Sequence, residues 1–599
     1  MPAESTLRGF AVILGAQRPR VLGLLLSVAL SIAFGFVFVP PSAAEKAIVA
    51  GGYFYILGIF ILWIYLVRRV LARSLVRLRE KLRRPGPVMV AWLAATIFAA
   101  ASDDFAPKVL FDEHVVQGTA WHLHATKEVG TPVRAYEVAG TWTAIDVYLD
   151  KRPYLLPFLI SLAHDLTGYR PLNAFVLNVL LAGLCLGLVA WIVKCLTGSG
   201  WAAVLVMALL ATTPLFGQNA TGSGLEMLNL ALIAALAAAG TLYLREPGDP
   251  DRLSLLGVTA VLLAQSRYES VLFAIAAAAI IVTGWWRAGR IILPAPLLVV
   301  PLLLVPWAWH SRIVDSRPQL WELRAGESAR FDWRYVSGNL EGAWEFFRAS
   351  SPDQPGSLAV VLLGGAGALA LVFRILRRRP GSLPPEATAV GWVGLGVAVH
   401  FSLVQFYYWA RFDEPVTARF ALPSLLMLAL LAGALARLVP FPRSAVLRIA
   451  FGVWAVWLAT FGGPALAQRL HTERNLVRHE VDWELERIRV RAGPVLVITS
   501  KTTLPFILER IPAVNLAVAR LRGPELAWHL ERGTFREVLV MQVVRPTTSG
   551  GDAAIEPDDR LPEGFKLEPV ERKRFGARWM LLSRLVAVES AGPVPARAD

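Results

Sequence analysis

Residues 172–194 read LNAFVLNVLLAGLCLGLVAWIVK, an apolar stretch interrupted only by Asn173 and Asn178 and closed by Lys194. As an α-helix it is long enough to cross a hydrocarbon core of ~30 Å. Runs of this kind recur along the whole chain. They are expected near 21–39, 47–67, 87–102, 172–194, 200–216, 225–244, 253–266, 270–286, 291–309, 357–374, 388–408, 419–438 and 444–466, about thirteen in all. The chain has 599 residues, 55% of them hydrophobic, with a mean hydropathy of +0.51. A soluble domain of that size needs more polar surface than this to cover its core. The fold class expected is therefore an all-α polytopic membrane domain.

The formal charge of +15 does not indicate nucleic-acid binding. The Lys and Arg residues cluster in short segments between apolar runs, where they report membrane orientation. Residues 68–84 carry Arg68, Arg69, Arg73, Arg77, Arg79, Lys81, Arg83 and Arg84 against the single acid Glu80, which predicts a cytoplasmic loop. Counting spans from there puts the basic segments 285–290 and 374–379 on the same side. The N-terminus is then cytoplasmic, in the inner (plasma) membrane. Arg18 and Arg20 before the first run, with Pro-Pro-Ser-Ala-Ala after it, have the flanks of a signal peptide. The run is long for that role and a second follows at once, so an uncleaved anchor is expected. Cys185 and Cys195 lie ten helical residues apart, about 15 Å, too far for a disulfide.

The opposite face carries the polar sequence. Residues 103–171 form a long outer loop rich in Asp, Glu, His and Trp, and 310–356 form a second. Residues 468–599 form a soluble tail on the same side. In the tail, Val495–Thr499 and Glu537–Val544 read as strands, with helical patterns at Leu504–Arg510 and Pro524–Glu531 between them. Phe565–Pro569 and Trp579–Val588 are also strand-like, whereas Pro546–Arg560 reads as a loose loop. The domains expected are 1–86 (two spans and the basic loop), 87–467 (the membrane core with its loop 103–171) and 468–599 (a small α/β domain). No internal repeat is visible, which argues against transporter folds built from inverted halves.

Phe111-Asp112-Glu113-His114 opens the first outer loop. Adjacent carboxylates at a membrane surface suit proton transfer or a divalent cation, and they also occur in ordinary solvated loops. Asp150-Lys151-Arg152-Pro153-Tyr154-Leu155 follows, a pair of cations before a proline-started amphipathic stretch ending near Gly168. Such a segment is either an interfacial helix with snorkelling basic ends or a phosphate-binding cation at headgroup level. Arg267-Tyr268-Glu269 sits between two spans with almost no loop, where charge is costly; an Arg–Glu lock between helices is the structural alternative. Arg411 follows Phe406-Tyr407-Tyr408-Trp409, Arg419 precedes Phe420-Ala421-Leu422-Pro423, and Glu226 opens the sixth span.

The order of these elements, a basic segment, one span, Asp-Glu, then a Lys/Arg-Pro-aromatic-Leu segment before the next span, resembles the GT-C membrane glycosyltransferases. The branch it looks like holds the protein O-mannosyltransferases and the lipid A aminoarabinose transferase. Asp112-Glu113 matches that branch's acidic motif. Arg152-Pro153-Tyr154-Leu155 matches its Lys-Pro-Pro-Leu-like motif loosely, leaving open whether Lys151 or Arg152 faces phosphate. Arg419 fits its Arg-aromatic-Leu-Leu-Pro pattern better than Arg411 does. The resemblance spans residues 87–466. It implies inverting transfer of a sugar from a polyprenyl phosphate to an acceptor on the extracytoplasmic face, with no nucleotide bound. Asp112 would be the base and Glu113 its partner. Lys151, Arg152, Arg267, Arg411 and Arg419 would meet the donor phosphate, with Tyr154, Glu269 and Glu226 in support. Some branches use a divalent metal ion, for which Asp112, Glu113 and His114 would be the ligands; His122 and His124 lie nearby. Membrane lipids are the expected surroundings, and the acceptor is open between protein, lipid and glycan. The alternatives are a lipid-linked glycan polymerase or ligase, a lipid or solute transporter, and a non-catalytic scaffold.

Overall fold

The computed structural model describes residues 3–72, 86–317, 327, 329–349, 357–376, 383–435, 452, 475–546 and 553–589. The chain divides into two compact units. One comprises residues 1–108, 127–129 and 151–470, and the other 109–126, 130–150 and 471–599.

The first unit is helical, and the protein is a multi-pass membrane protein. Among the described residues, seven helices are long and apolar enough to cross a membrane: Arg18–Phe38, Pro41–Ala72, Leu172–Thr197, Glu226–Arg245, Tyr268–Ala288, Pro385–Gln405 and Ala418–Leu435. An eighth candidate is broken. Gly200–Ala211 and Pro214–Ala220 meet at 74°, because Pro214 drives Thr213 into the extended region (φ −73°, ψ 118°) and ends the first helix. The expected run at 291–309 is not one span either. Pro294, Pro296, Pro301 and Pro306 divide it into a short helix Ala295–Val299, a 3-10 turn Leu302–Leu304 and a helix Val305–Asp315. Helices Pro87–Ala101 and Pro250–Ala264, 15 residues each, stand where two further spans were expected. The thirteenth, 444–466, lies outside the described residues. The second outer loop, read as merely polar, holds an amphipathic helix, Val336–Arg348.

Small residues let helix Leu358–Leu376, at the expected span 357–374, touch the span Ala418–Leu435 backbone to backbone. A Cβ on Gly364 would lie 2.6 Å from the Leu428 carbonyl oxygen, and one on Gly367 would collide with that of Leu431. Gly367→Ala is therefore expected to destabilise the solubilised protein by about 1–3 kcal/mol, since a carbonyl cannot swing aside as a side chain can. Gly365→Ala, with nothing within 4 Å of its Cβ position, serves as the neutral comparison in the same thermal melt.

The second unit is built on one eight-stranded sheet with helices packed against it. Its strands are β1 (Thr131–Val138), β2 (Thr141–Tyr148), β3 (Val495–Thr499), β4 (Ala513–Asn515), β5 (Glu537–Pro546), β6 (Ala553–Ile555), β7 (Phe565–Phe575) and β8 (Arg578–Val588). Their order is β2-β1-β4-β3-β5-β8-β7, with β6 added to β5. β3 runs parallel to β4 and β5, and all five of its residues, VLVIT, are buried, as a central parallel strand requires. Edge strand β7 is mostly exposed and highly charged, which discourages pairing with other chains. The tail strands and helices follow the expected pattern. The addition is β1–β2, a hairpin from the first outer loop, grouped by sequence with the membrane core; β1 joins the tail's sheet where Ala135 pairs with Ala513.

Residues 553–560 are no loose loop. They carry β6 and a 3-10 turn whose Asp559 is buried and accepts hydrogen bonds from Ser500 Oγ (2.7 Å) and Val543 N–H (2.5 Å). Helix Leu476–Arg489 buries Glu480 between Lys501 and Arg578, the latter at 2.7 Å. One turn on, Glu484 is 2% exposed, and its Oε1 has no hydrogen-bond partner among the described residues. Burial raises the pKa of this carboxyl to about 8, with Arg578 opposing. A carboxyl that titrates near 4.3 when unfolded and near 8 when folded withholds its proton from water across that window. Its contribution is favourable below about pH 4.3 and is lost as pH rises towards 8. Glu484→Gln should therefore flatten the pH dependence of unfolding and stabilise the domain at pH 7.5 by about 1 kcal/mol or more. Protease susceptibility of the tail at pH 5.5 and 7.5 reads this out, and an unchanged pH slope would show that the folded carboxyl is ionised.

Candidate active site

In the membrane unit, charged residues from the ends of several apolar helices meet. Glu226 sits in the first turn of its helix, where the dipole favours a carboxylate. Arg267, extended at φ −148°, precedes the 3-10 turn Tyr268–Leu272. Arg419 lies in the 3-10 turn Ala418–Ala421 that starts the last described span. Arg267 Nη1 is 2.6 Å from Glu226 Oε1, and Arg419 Nη1 is 3.2 Å from the same oxygen. Arg267 Nε also binds Glu269, whose Oε1 is 3.7 Å from His400 Nε2. Both guanidinium groups lie over the Phe420 ring, 5.1 and 5.6 Å from its centroid. Asn229 Oδ1 accepts from Ser266 (3.0 Å) and Ser270 (2.7 Å), tying the Arg267 turn to the Glu226 helix.

This network pairs two cations with two carboxylates, as burial beside apolar helices demands. Glu226 Oε2, Glu269 Oε2 and His400 Nδ1 each have no hydrogen-bond partner among the described residues. His400 was missed by sequence. A lone ionisable residue inside the apolar run 388–408 was the signal that could have found it.

Glu269 and Phe420 also form part of the wall of a cavity of about 360 Å³. Its other polar groups are Lys151, Gln265, His310, Ser311, Asp315 and Arg330, and its apolar side includes Trp307, Phe331, Leu403 and Tyr407. Arg330 pairs with Asp315 at 2.8 Å. The segment that carries Arg330 is fixed by backbone pairing. Phe331 bridges Tyr407, Asp332 N–H donates to Phe406 O (2.9 Å), and Tyr408 N–H donates to Arg330 O (3.0 Å). Asn339 then donates to the carbonyls of Gln405 and Tyr407, each at 2.8 Å. A mostly apolar cavity with two cations, Lys151 and Arg330, beside the carboxylates Glu269 and Asp315 suits an amphiphile with a polar head.

Of the adjacent pair left open by sequence, Lys151 lines this cavity and Arg152 does not. Tyr154 is 2% exposed, its ring 6.0 Å from that of His310, and burial raises its pKa. Arg411 is elsewhere, in a two-pronged ion pair with Asp413 (2.8 and 3.1 Å).

Asp112 and Glu113 belong to the other unit, in the first turn of helix Leu110–Thr126. Glu113 is buried, and its Oε1 accepts from the N–H of Val109 (2.8 Å), so it caps its own helix. Asp112 is half-buried beside it. The ligand set Asp112, Glu113 and His114 does not fit a metal. Successive helical residues point about 100° apart, so the three side chains diverge. Among the described residues no group of three His, Cys, Asp or Glu could hold an ion. His122 is buried with neither ring nitrogen hydrogen-bonded among the described residues, and burial lowers its pKa to about 4. His124 ends the helix, half-buried.

No family model and no curated protein sequence matches the chain. Solved structures do. ArnT from Cupriavidus metallidurans bound to undecaprenyl phosphate aligns at a TM-score of 0.50 and 14% identity, over 83% of this chain and 97% of that one. Its apo state aligns at 0.50 and 13%, with the same coverage. The fold is that of the GT-C membrane glycosyltransferases. The apo oligosaccharyltransferase from Archaeoglobus fulgidus aligns more distantly, at a TM-score of 0.40 and 10% identity over 77% of this chain and 70% of that one. The GT-C likeness extends well beyond the loop motifs that suggested it, since it takes in nearly the whole of the ArnT chain.

Proposed function

We propose that the protein is an inverting glycosyltransferase that moves a sugar from a polyprenyl phosphate to an acceptor on the extracytoplasmic face of the membrane. The observation that carries this is the cavity of about 360 Å³, apolar on one side and lined on the other by Lys151 and by Arg330 with its partner Asp315, inside a GT-C fold. In the same fold, ArnT was solved bound to undecaprenyl phosphate. The acceptor hydroxyl oxygen attacks the anomeric carbon as the bond from that carbon to the phosphate oxygen breaks. One displacement inverts the configuration. Asp112 takes the hydroxyl proton, and Lys151 with Arg330 stabilises the charge gathering on the departing phosphate. Arg267 and Arg419, neutralised by Glu226 and Glu269, hold the cavity wall and do not supply free positive charge. In this reading the N-terminus is cytoplasmic and the C-terminal domain lies outside, as the basic loops of the sequence lead one to expect.

Purified protein should move label from one of a panel of radiolabelled polyprenyl-phosphate sugars to a component of native membranes. Lys151→Ala should weaken use of that donor. If folded protein transfers from none of them, the monophosphate reading falls, and a diphosphate-linked donor or a transport role takes its place.

A further inference from the structure

The helix that carries Asp112 is mounted on the C-terminal domain. Gly118, two turns after Asp112, lies so close to Leu504 that an added Cβ would strike Leu504 Cδ2. Next to it, Thr119 Oγ1 and Thr131 Oγ1 are 2.7 Å apart, linking the helix to β1. β1 is held to the tail by pairing with β4, by Thr503 Oγ1 donating to Val133 O (3.0 Å), and by the ion pair of Arg134 with Glu525.

Leu504 is itself rigidly held. It is 2% exposed and opens the helix Leu504–Leu508, all five residues of which are buried. The junction leading to it from β3 is fixed at successive residues. Ser500 donates to Asp559, Lys501 pairs with Glu480, and the Lys501 carbonyl accepts from Asn515 Nδ2 (3.2 Å). A reacting carboxylate needs a mount of this kind, because placement errors near 1 Å are costly in rate.

We propose that the C-terminal domain is a positioning device for the Asp112 helix, acting through the seat of Leu504 against Gly118; the proposal rests on the reading of Asp112 as the base. Leu504 and Thr503 are then positioning residues, and the domain serves the transfer step itself. Gly118 lets the helix seat this closely, since a Cβ there would force the buried Leu504 Cδ2 to shift.

The test pairs two Leu→Ala changes in the same sheet domain. Leu504→Ala empties the seat. Leu585→Ala empties a site on β8 within the cluster formed with Tyr136, Leu496 and Val538. Leu504→Ala should lower kcat at least tenfold per folded protein with KM for the donor within twofold, and Leu585→Ala should leave both unchanged. A nitroxide at position 112, in Asp112→Cys with Cys185→Ala and Cys195→Ser, should become more mobile with Leu504→Ala and not with Leu585→Ala. If Leu504→Ala does not fold, Thr503→Val, which removes only the bond to Val133 O, should shift both readouts in the same direction. A label equally mobile in all variants overturns the positioning role and leaves the sugar-transfer reading intact. A mobilised label with unchanged kcat overturns Asp112 as base, and with it the catalytic purpose of the mount.

Discussion

Asp112→Asn is expected to lower sugar transfer about 10²–10⁴-fold, the usual contribution of a positioned proton acceptor, with little change in the amount of folded protein. The substitution keeps size and shape and removes the charge and the capacity to take a proton. The charge it removes sits in the first turn of a helix, where a carboxylate is worth about 0.3–1 kcal/mol, against typical stabilities of 5–15 kcal/mol. Glu113→Gln should behave differently. Glu113 is buried and caps the Val109 N–H, so its loss of charge weakens the helix start and lowers yield before it alters the rate per folded molecule. Measuring both variants by rate and by folded fraction separates a chemical carboxylate from a structural one. Full transfer by Asp112→Asn would remove it as the base. A matched loss of rate and yield in both would make the pair structural.

The class of the protein was legible from local sequence because a membrane span is a local property: twenty apolar residues announce themselves without knowledge of their neighbours. The breaks within spans were legible in principle too. Pro214 and the four prolines of residues 294–306 mark them, yet mean apolarity outweighs single prolines when a run is read by composition. What no local reading supplies is pairing between distant segments. The first outer loop reads as polar sequence beside a span, and only the match of β1 to β4 reveals it as part of the tail's sheet. Lys151 and Arg152 illustrate the same limit at closer range. Both are cations before Pro153, and which of them lines the cavity depends on the direction of the backbone there. Arg267 and Glu269 were picked out as one charged stretch, with an Arg–Glu lock as one reading, and Glu226 and Arg419 singly, as charges at the ends of apolar runs. Their mutual pairing, and His400 with them, is a property of how the helices pack.

That pairing sets the second large expectation. Glu226→Ala leaves Arg267 and Arg419, with side chains 8% and 14% exposed, short of the carboxylate they share. Removing one partner of a buried ion pair typically costs about 3–5 kcal/mol, because the remaining charge stays out of water. Here Arg267 keeps Glu269 and the two guanidinium groups keep the Phe420 ring, which places the loss towards the lower end of that range. Glu226→Ala should therefore show a marked fall in thermal stability in detergent or lipid nanodiscs. Arg267→Met should do the same by taking from Glu269 its guanidinium partner and leaving Glu226 with Arg419. The double variant removes one charge of each sign and leaves one of each, Arg419 and Glu269. Its loss should be smaller than the sum of the single losses by more than ~1 kcal/mol, the signature of groups in direct contact. Strictly additive losses would mean that water reaches these charges and that each is solvated alone. In that case Arg267 and Arg419 would be free to meet an anionic ligand, and they would return to the donor phosphate as direct contacts.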